Sequence, residues 1–78
     1  MPKKSSIQKV TSLNDLYNRA ASDPIYLELA ILGARNLGGG NITTLDQARN
    51  WLNTNAMETD EAGVVDEVNF CRDLVGKA

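Results

Sequence analysis

Histidine is absent from the 78 residues, so the commonest general base for work near neutral pH is missing. The hydroxyl candidates are Ser5, Ser6, Ser12 and Ser22. The first two fall in a polar, basic stretch, and the last two read as helix-cap positions. A nucleophile needs a base within hydrogen-bond reach and a third group that orients the base, and no such set can be assembled from this chain. Cys71 is the sole cysteine. It falls on an apolar helical stripe among acidic neighbours, whereas a reactive thiolate needs an accessible, electropositive setting. The expectation is a protein that is not an enzyme.

Glu58, Asp60 and Glu61 are the densest carboxylates. The segment Glu58-Thr59-Asp60-Glu61-Ala62-Gly63 lacks the alternating oxygen ligands and distal glutamate of a calcium loop, so no metal is expected. The three carboxylates suit an acid-rich helix N-terminus instead. Gly38-Gly39-Gly40 precedes a helical segment but has no Lys-Ser/Thr pair after it and no strand before it. It therefore reads as a flexible interhelical linker rather than a phosphate cradle, and no cofactor is expected.

Base-reading side-chain types do occur together. Gln47, Arg49, Asn50 and Asn53 lie on the wet face of one predicted helix, and Lys3, Lys4 and Lys9 supply cations for phosphates. Against a nucleic-acid function, Arg49 is the single cation on that face. The preceding linker, residues 38–44, is longer than a helix-turn-helix turn. The net charge is −2, a poor start for binding dominated by phosphate neutralisation.

These residues are carried by a predicted all-α chain, a compact bundle of four short helices behind a flexible basic N-terminal arm, residues 1–11. Ile7 and Val10 are placed to pin the end of that arm. Folding is expected to begin at Ser12, so that deleting residues 1–9 leaves the melting midpoint unchanged. Ser12 caps the first helix, with Asp15 at the reciprocal position of a capping box. Leu13, Leu16, Tyr17 and Ala20 form its inner stripe. Ser22-Asp23-Pro24 ends it and starts the second. That helix spans about residues 24–37, is apolar nearly all round and is therefore central, with Gly33 as a point of close approach. A third helix starts at Thr43 or Thr44, caps through Gln47, turns Leu45, Ala48, Trp51 and Leu52 inward, and frays at Asn53-Thr54-Asn55. A fourth runs from Thr59 or Asp60 to about Val75, with Gly76 as its cap.

Composition agrees with one small soluble domain: 42% hydrophobic residues and 23% charged are ordinary for a globular chain. At about 0.05–0.15 kcal/mol per residue, the expected stability is roughly 4–12 kcal/mol. Residues 1–10 contain no apolar run of the kind a signal peptide needs. The longest apolar stretch, residues 25–32, is interrupted by Glu28 and too short to span a bilayer. With one cysteine and no leader, a cytoplasmic location is expected, with no membrane partner.

Charge is polarised along the chain: +3 over residues 1–22, −1 over 23–56 and −4 over 57–78. On the fourth helix, Val64, Val68, Cys71 and Val75 make a tight stripe. Val65 lies on one edge, Leu74 and then Phe70 on the other, so the apolar arc is roughly 220° wide at 100° per residue. A helix facing one core needs only about 100°. Phe70 is flanked by Asp66, Glu67 and Asp73. Either the first helix or the arm folds over it, or it stands outward as an aromatic anchor rimmed by carboxylates.

The functional expectation is a non-catalytic protein-binding module whose contact surface is Glu58, Asp60, Glu61, Asp66, Glu67, Phe70 and Asp73. A basic nucleic-acid-binding protein would complement it. Small acidic inhibitors carried by mobile elements, anti-CRISPR proteins among them, form a class of this general kind, although no motif places the chain in it. The alternatives are a small nucleic-acid-binding regulator using the third helix and the arm, and a structural subunit or homodimer using the surplus apolar edge.

Overall fold

Each helix begins where a short polar side chain takes up a backbone N–H that the helix cannot pair internally. The computed structural model describes residues 7–75. Within them lie α1 (Leu13–Ser22), α2 (Pro24–Asn36), α3 (Leu45–Glu58), α4 (Glu61–Phe70) and a 3₁₀ turn, η1 (Cys71–Leu74). Ser12 accepts from Asp15 N at α1, and Asp23 accepts from Ile25 N at α2, with Pro24 opening the helix. Thr44 and Gln47 close a full capping box at α3, and Asp60 accepts from Gly63 N at α4. No strand occurs among the described residues, and the chain is the all-α bundle of short helices that its periodicity predicts.

The central position of α2 is also as expected: it packs against α1, α3, α4 and η1. Leu29 of α2 and Leu16, Leu52, Val68 and Cys71 around it are the largest fully buried side chains of the core. Gly33 lets α4 approach, since a Cβ there would stand 2.8 Å from Val68 Cγ2.

Two helix ends differ from expectation. α3 does not fray at 53–55 but continues to Glu58. Asn55 Nδ2 donates to Trp51 O, and both the backbone N–H and the hydroxyl of Thr59 donate to Asn55 O, so side chains satisfy carbonyls that a frayed end would leave to water. α4 stops at Phe70 rather than Val75. Its last turn tightens into η1, where Arg72 Nε donates to Asn69 O at 3.0 Å, and Val75 is extended. The Gly76 cap lies outside the described residues.

The triple glycine, expected as a flexible linker, forms a hydrogen-bonded turn. Gly38 has φ +102°, the left-handed conformation a glycine reaches without penalty. Its N–H donates to Arg35 O and that of Gly39 to Ala34 O, both at 3.0 Å, which is the Schellman arrangement. Gly39 is buried. A Cβ there would strike Ile42 Cδ1 and stand 3.0 Å from the Ala34 carbonyl oxygen. The isoleucine can swing aside, but the carbonyl cannot. Gly39→Ala is expected to cost about 1–3 kcal/mol, as overpacking does, whereas Gly40→Ala, with nothing within 4 Å, should leave the thermal midpoint in place.

Among the described residues, packing extends ahead of Ser12 as far as Ile7. Val10 is 2% exposed and belongs to the core, and Ile7 packs against it. Asn69 grips the Val10 peptide at both ends: its Oδ1 accepts from Val10 N at 2.9 Å and its Nδ2 donates to Val10 O at 3.0 Å. Arg72 Nη1 donates to Ile7 O, and Gln8 N donates to the Tyr26 hydroxyl. The Asp15 carboxylate accepts from Thr11 N, one residue earlier than a standard capping box, and pairs with Arg19 at 3.0 Å. The Thr11 N–H, aided by Arg19, holds the Asp15 carboxyl below its ordinary range. A short segment with so many polar anchors packs because its own backbone groups are paired. Lys3 and Lys4 lie outside the described residues. Asn69→Ala, which orphans both ends of the Val10 peptide, is expected to cost about 1–3 kcal/mol in a urea melt, and Asn69→Asp, which keeps the acceptor but sets a carboxylate oxygen against Val10 O, should also destabilise.

Candidate functional site

Among the described residues, the wide apolar arc of α4 is covered on one edge only. Val65 is buried, in a region bordered by Lys9, Val10, Thr11 and Ser12, so the N-terminal segment closes over that edge. The other edge is open. Phe70 is 78% exposed and Leu74 48%. Together with Asn69, Arg72 and Asp73 they border one shallow depression at the end of α4. Among the described residues, neither α1 nor residues 7–11 fold over Phe70. α-Helical spacing itself places Phe70 about 200° around α4 from the buried Val68, and the 3₁₀ turn after it keeps Cys71 and Val75 in the core.

The seven residues proposed from sequence do not form one surface. Asp66 and Asp73 are exposed beside Phe70, and no described residue holds their carboxylates in a hydrogen bond or ion pair. Glu67 is half-buried and accepts from Asn36 Nδ2, tying α4 to the end of α2. Glu58, Asp60 and Glu61 lie at the opposite end of α4, about 13 Å away at 1.5 Å per residue. There Asp60 is occupied as the N-cap of α4. Glu61 Oε2 accepts from Leu13 N at 3.0 Å, closing an orphan N–H of α1 and placing a negative charge at that helix's positive end. Cys71 is fully buried. Burial, and then the nearby Glu67 charge, push its thiol pKa up, which keeps it neutral and unreactive.

No family model, curated protein or solved structure matches the chain.

Two surface features have little or no counterpart in the sequence reading. Trp51, expected inside, is 39% exposed at the rim of the glycine turn, with its indole N–H donating to Leu37 O at 3.1 Å. A groove between α1 and α3 is bordered by Asn14, Tyr17 and Asn18 on one side and Arg49, Asn53 and Met57 on the other. Across it the Tyr17 hydroxyl donates to Asn53 Oδ1 at 2.7 Å. Burial pushes the Tyr17 pKa up to about 12, so the phenol stays protonated and serves as a strut rather than a proton carrier. The asparagine content of both helices was the available signal, but side-chain type alone does not say which faces meet. Among the described residues no three potential ligands converge on a metal position, and no helix is long and apolar enough to cross a membrane.

Proposed function

We propose that the chain is a non-catalytic protein-binding module that docks through Phe70 and Leu74, with Asp66 and Asp73 as the charged rim, on a basic nucleic-acid-binding protein. The observation that carries this reading is the exposure of Phe70, 78% in a chain with one phenylalanine. Burying such a ring in a partner's pocket is worth about 1.5–3 kcal/mol, and aromatic anchors inside a polar rim are where interface energy concentrates. The rim selects the partner's sign: carboxylates favour a surface rich in lysine and arginine and steer encounter with it. In a two-fold self-association the same carboxylates would be brought near their own copies, which disfavours a homodimer through this face. A protein whose basic groove is filled in this way loses access to phosphates, so the expected consequence is inhibition, acting where nucleic-acid machinery resides. The class of small acidic inhibitors, anti-CRISPR proteins among them, provides a functional parallel.

Direct nucleic-acid binding is disfavoured by charge. Arg49, the one cation on the exposed face of α3, pairs with Asp46 at 3.3 Å. No retardation of DNA or RNA in gels at physiological salt is expected. The test of the favoured reading uses the immobilised chain and its Phe70→Ala variant as parallel baits in extract of the native host. A basic protein held by the first bait and not the second, and released from its own DNA or RNA when the soluble chain is added, meets the expectation. Equal capture by both baits, or a partner that keeps its nucleic acid, contradicts it.

A further inference from the structure

The groove between α1 and α3 carries a pattern of hydrogen-bonding groups that the docking surface at Phe70 does not use. Asn14 and Asn18 are exposed, four residues apart on one face of α1, and both border the groove. Arg49, Asn53 and Met57 follow at the same four-residue interval on α3. Groups at this interval on a helix are about 6 Å apart along its axis. In an extended polypeptide, peptide groups that face the same side recur every 6.6–6.8 Å or so. A row of asparagines on a helix therefore runs nearly in register with an extended main chain for two or three repeats. A carboxamide offers one acceptor and two donors, the complement of a peptide N–H and C=O. The same molecule shows this match: Asn69 pairs with the N–H and C=O of Val10 at 2.9 and 3.0 Å.

We infer that the α1–α3 groove is a second binding site, for an extended polypeptide segment of a partner, held through its main chain by Asn14 and Asn18, with an apolar side chain seated against Met57. Several features choose this occupant. The Tyr17–Asn53 hydrogen bond spans the groove, uses Asn53 Oδ1 and leaves its two N–H donors for a ligand carbonyl. The groove's charges are one of each sign: Arg49, already shared with Asp46, and Glu61, already shared with Leu13 N. A lining of amides with balanced charge suits a neutral main chain and gives a phosphodiester backbone no net attraction. Met57 is 85% exposed, and an unbranched thioether adapts to varied apolar side chains. This site lies at the end of α4 opposite Phe70, so it is independent of the docking surface proposed above.

The test pans a phage-displayed library of random linear dodecapeptides on the whole chain and synthesises the enriched sequences. The expected result is enriched peptides whose binding weakens about tenfold on Asn14→Ala with Asn18→Ala, and also on N-methylation of two peptide nitrogens spaced two residues apart. Met57→Ala should weaken it further, while Phe70→Ala should leave it unchanged. Asn14 and Asn18 are exposed, so the double variant should melt like the parent, and that melt is recorded alongside. Absence of enriched peptides overturns the inference. So does binding that survives the double asparagine change, or a single-stranded oligonucleotide that competes for the groove at physiological salt.

Discussion

Leu29→Ala is expected to unfold the protein at or near room temperature, or to lower its melting midpoint by tens of degrees. Leu29 is fully buried in α2, the helix on which every other helix packs. Truncating a buried leucine removes its transfer free energy and leaves a cavity, together about 2–5 kcal/mol. Against a total of roughly 4–12 kcal/mol for a chain of this size, that is a large share. In a domain of 60–100 residues each kcal/mol moves the midpoint by about 4–8 °C. Leu32, on the same helix, provides the internal control. It is only half-buried, so Leu32→Ala should cost distinctly less. Circular dichroism melts of both variants decide the matter. A Leu29→Ala protein that melts like the parent would mean that α2 is not the central layer.

The difference between Leu29 and Leu32 shows what the sequence could and could not convey. Caps were legible because they are local. A serine, aspartate or threonine beside its own backbone N–H needs no knowledge of the rest of the fold: Ser12 and Thr44 cap as expected, and the caps of α2 and α4, Asp23 and Asp60, fall within the segments expected to start those helices. The all-round apolar pattern of α2 likewise marked it as central, but could not rank its faces. What failed was non-local. Nothing near Val10 in sequence reveals that Asn69 will grip its peptide from 59 residues away, so Ile7 and Val10 could be named as pins while the hydrogen-bonded segment around them still read as part of a flexible arm. Glycines read as flexible because their freedom is intrinsic, whereas the ordering of Gly39 depends on Ile42 and the Ala34 carbonyl. The candidate site shows the same division. The excess width of the α4 apolar arc was visible, and so was the acidic company of Phe70. Which edge the N-terminal segment would cover was not. Nor was the diversion of Asp60 and Glu61 into capping duties, because Glu61 serves the start of a different helix.

Reversing charge beside Phe70 is expected to abolish partner binding without unfolding the chain. The informative change is Asp66→Lys with Asp73→Lys. Both side chains are exposed and engaged by no hydrogen bond or ion pair among the described residues, so each substitution should shift stability by only about ±0.5 kcal/mol. Glu67 is left alone, since its bond with Asn36 would mix a structural effect with an interface effect. Facing a basic partner, two lysines replace attraction with like-charge contacts that cost several kcal/mol. The loss should fall first on association. For the unmutated chain the association rate should drop steeply as salt is raised, because charges beyond about 8 Å are screened at physiological ionic strength. The charge-reversed chain should show the opposite salt trend, its residual binding improving as repulsion is screened. Phe70→Ala should act differently. A buried aromatic anchor is worth about 2 kcal/mol or more at a hot spot, roughly thirtyfold, and short-range packing is lost mainly as faster dissociation. The variant should melt like the parent, because the ring it removes touches solvent rather than core. Rates measured by surface plasmon resonance at three salt concentrations separate these cases. Full binding by the charge-reversed chain would exclude the α4 end as the docking surface. A Phe70→Ala chain that lost both its partner and several kcal/mol of stability would return that ring to the core.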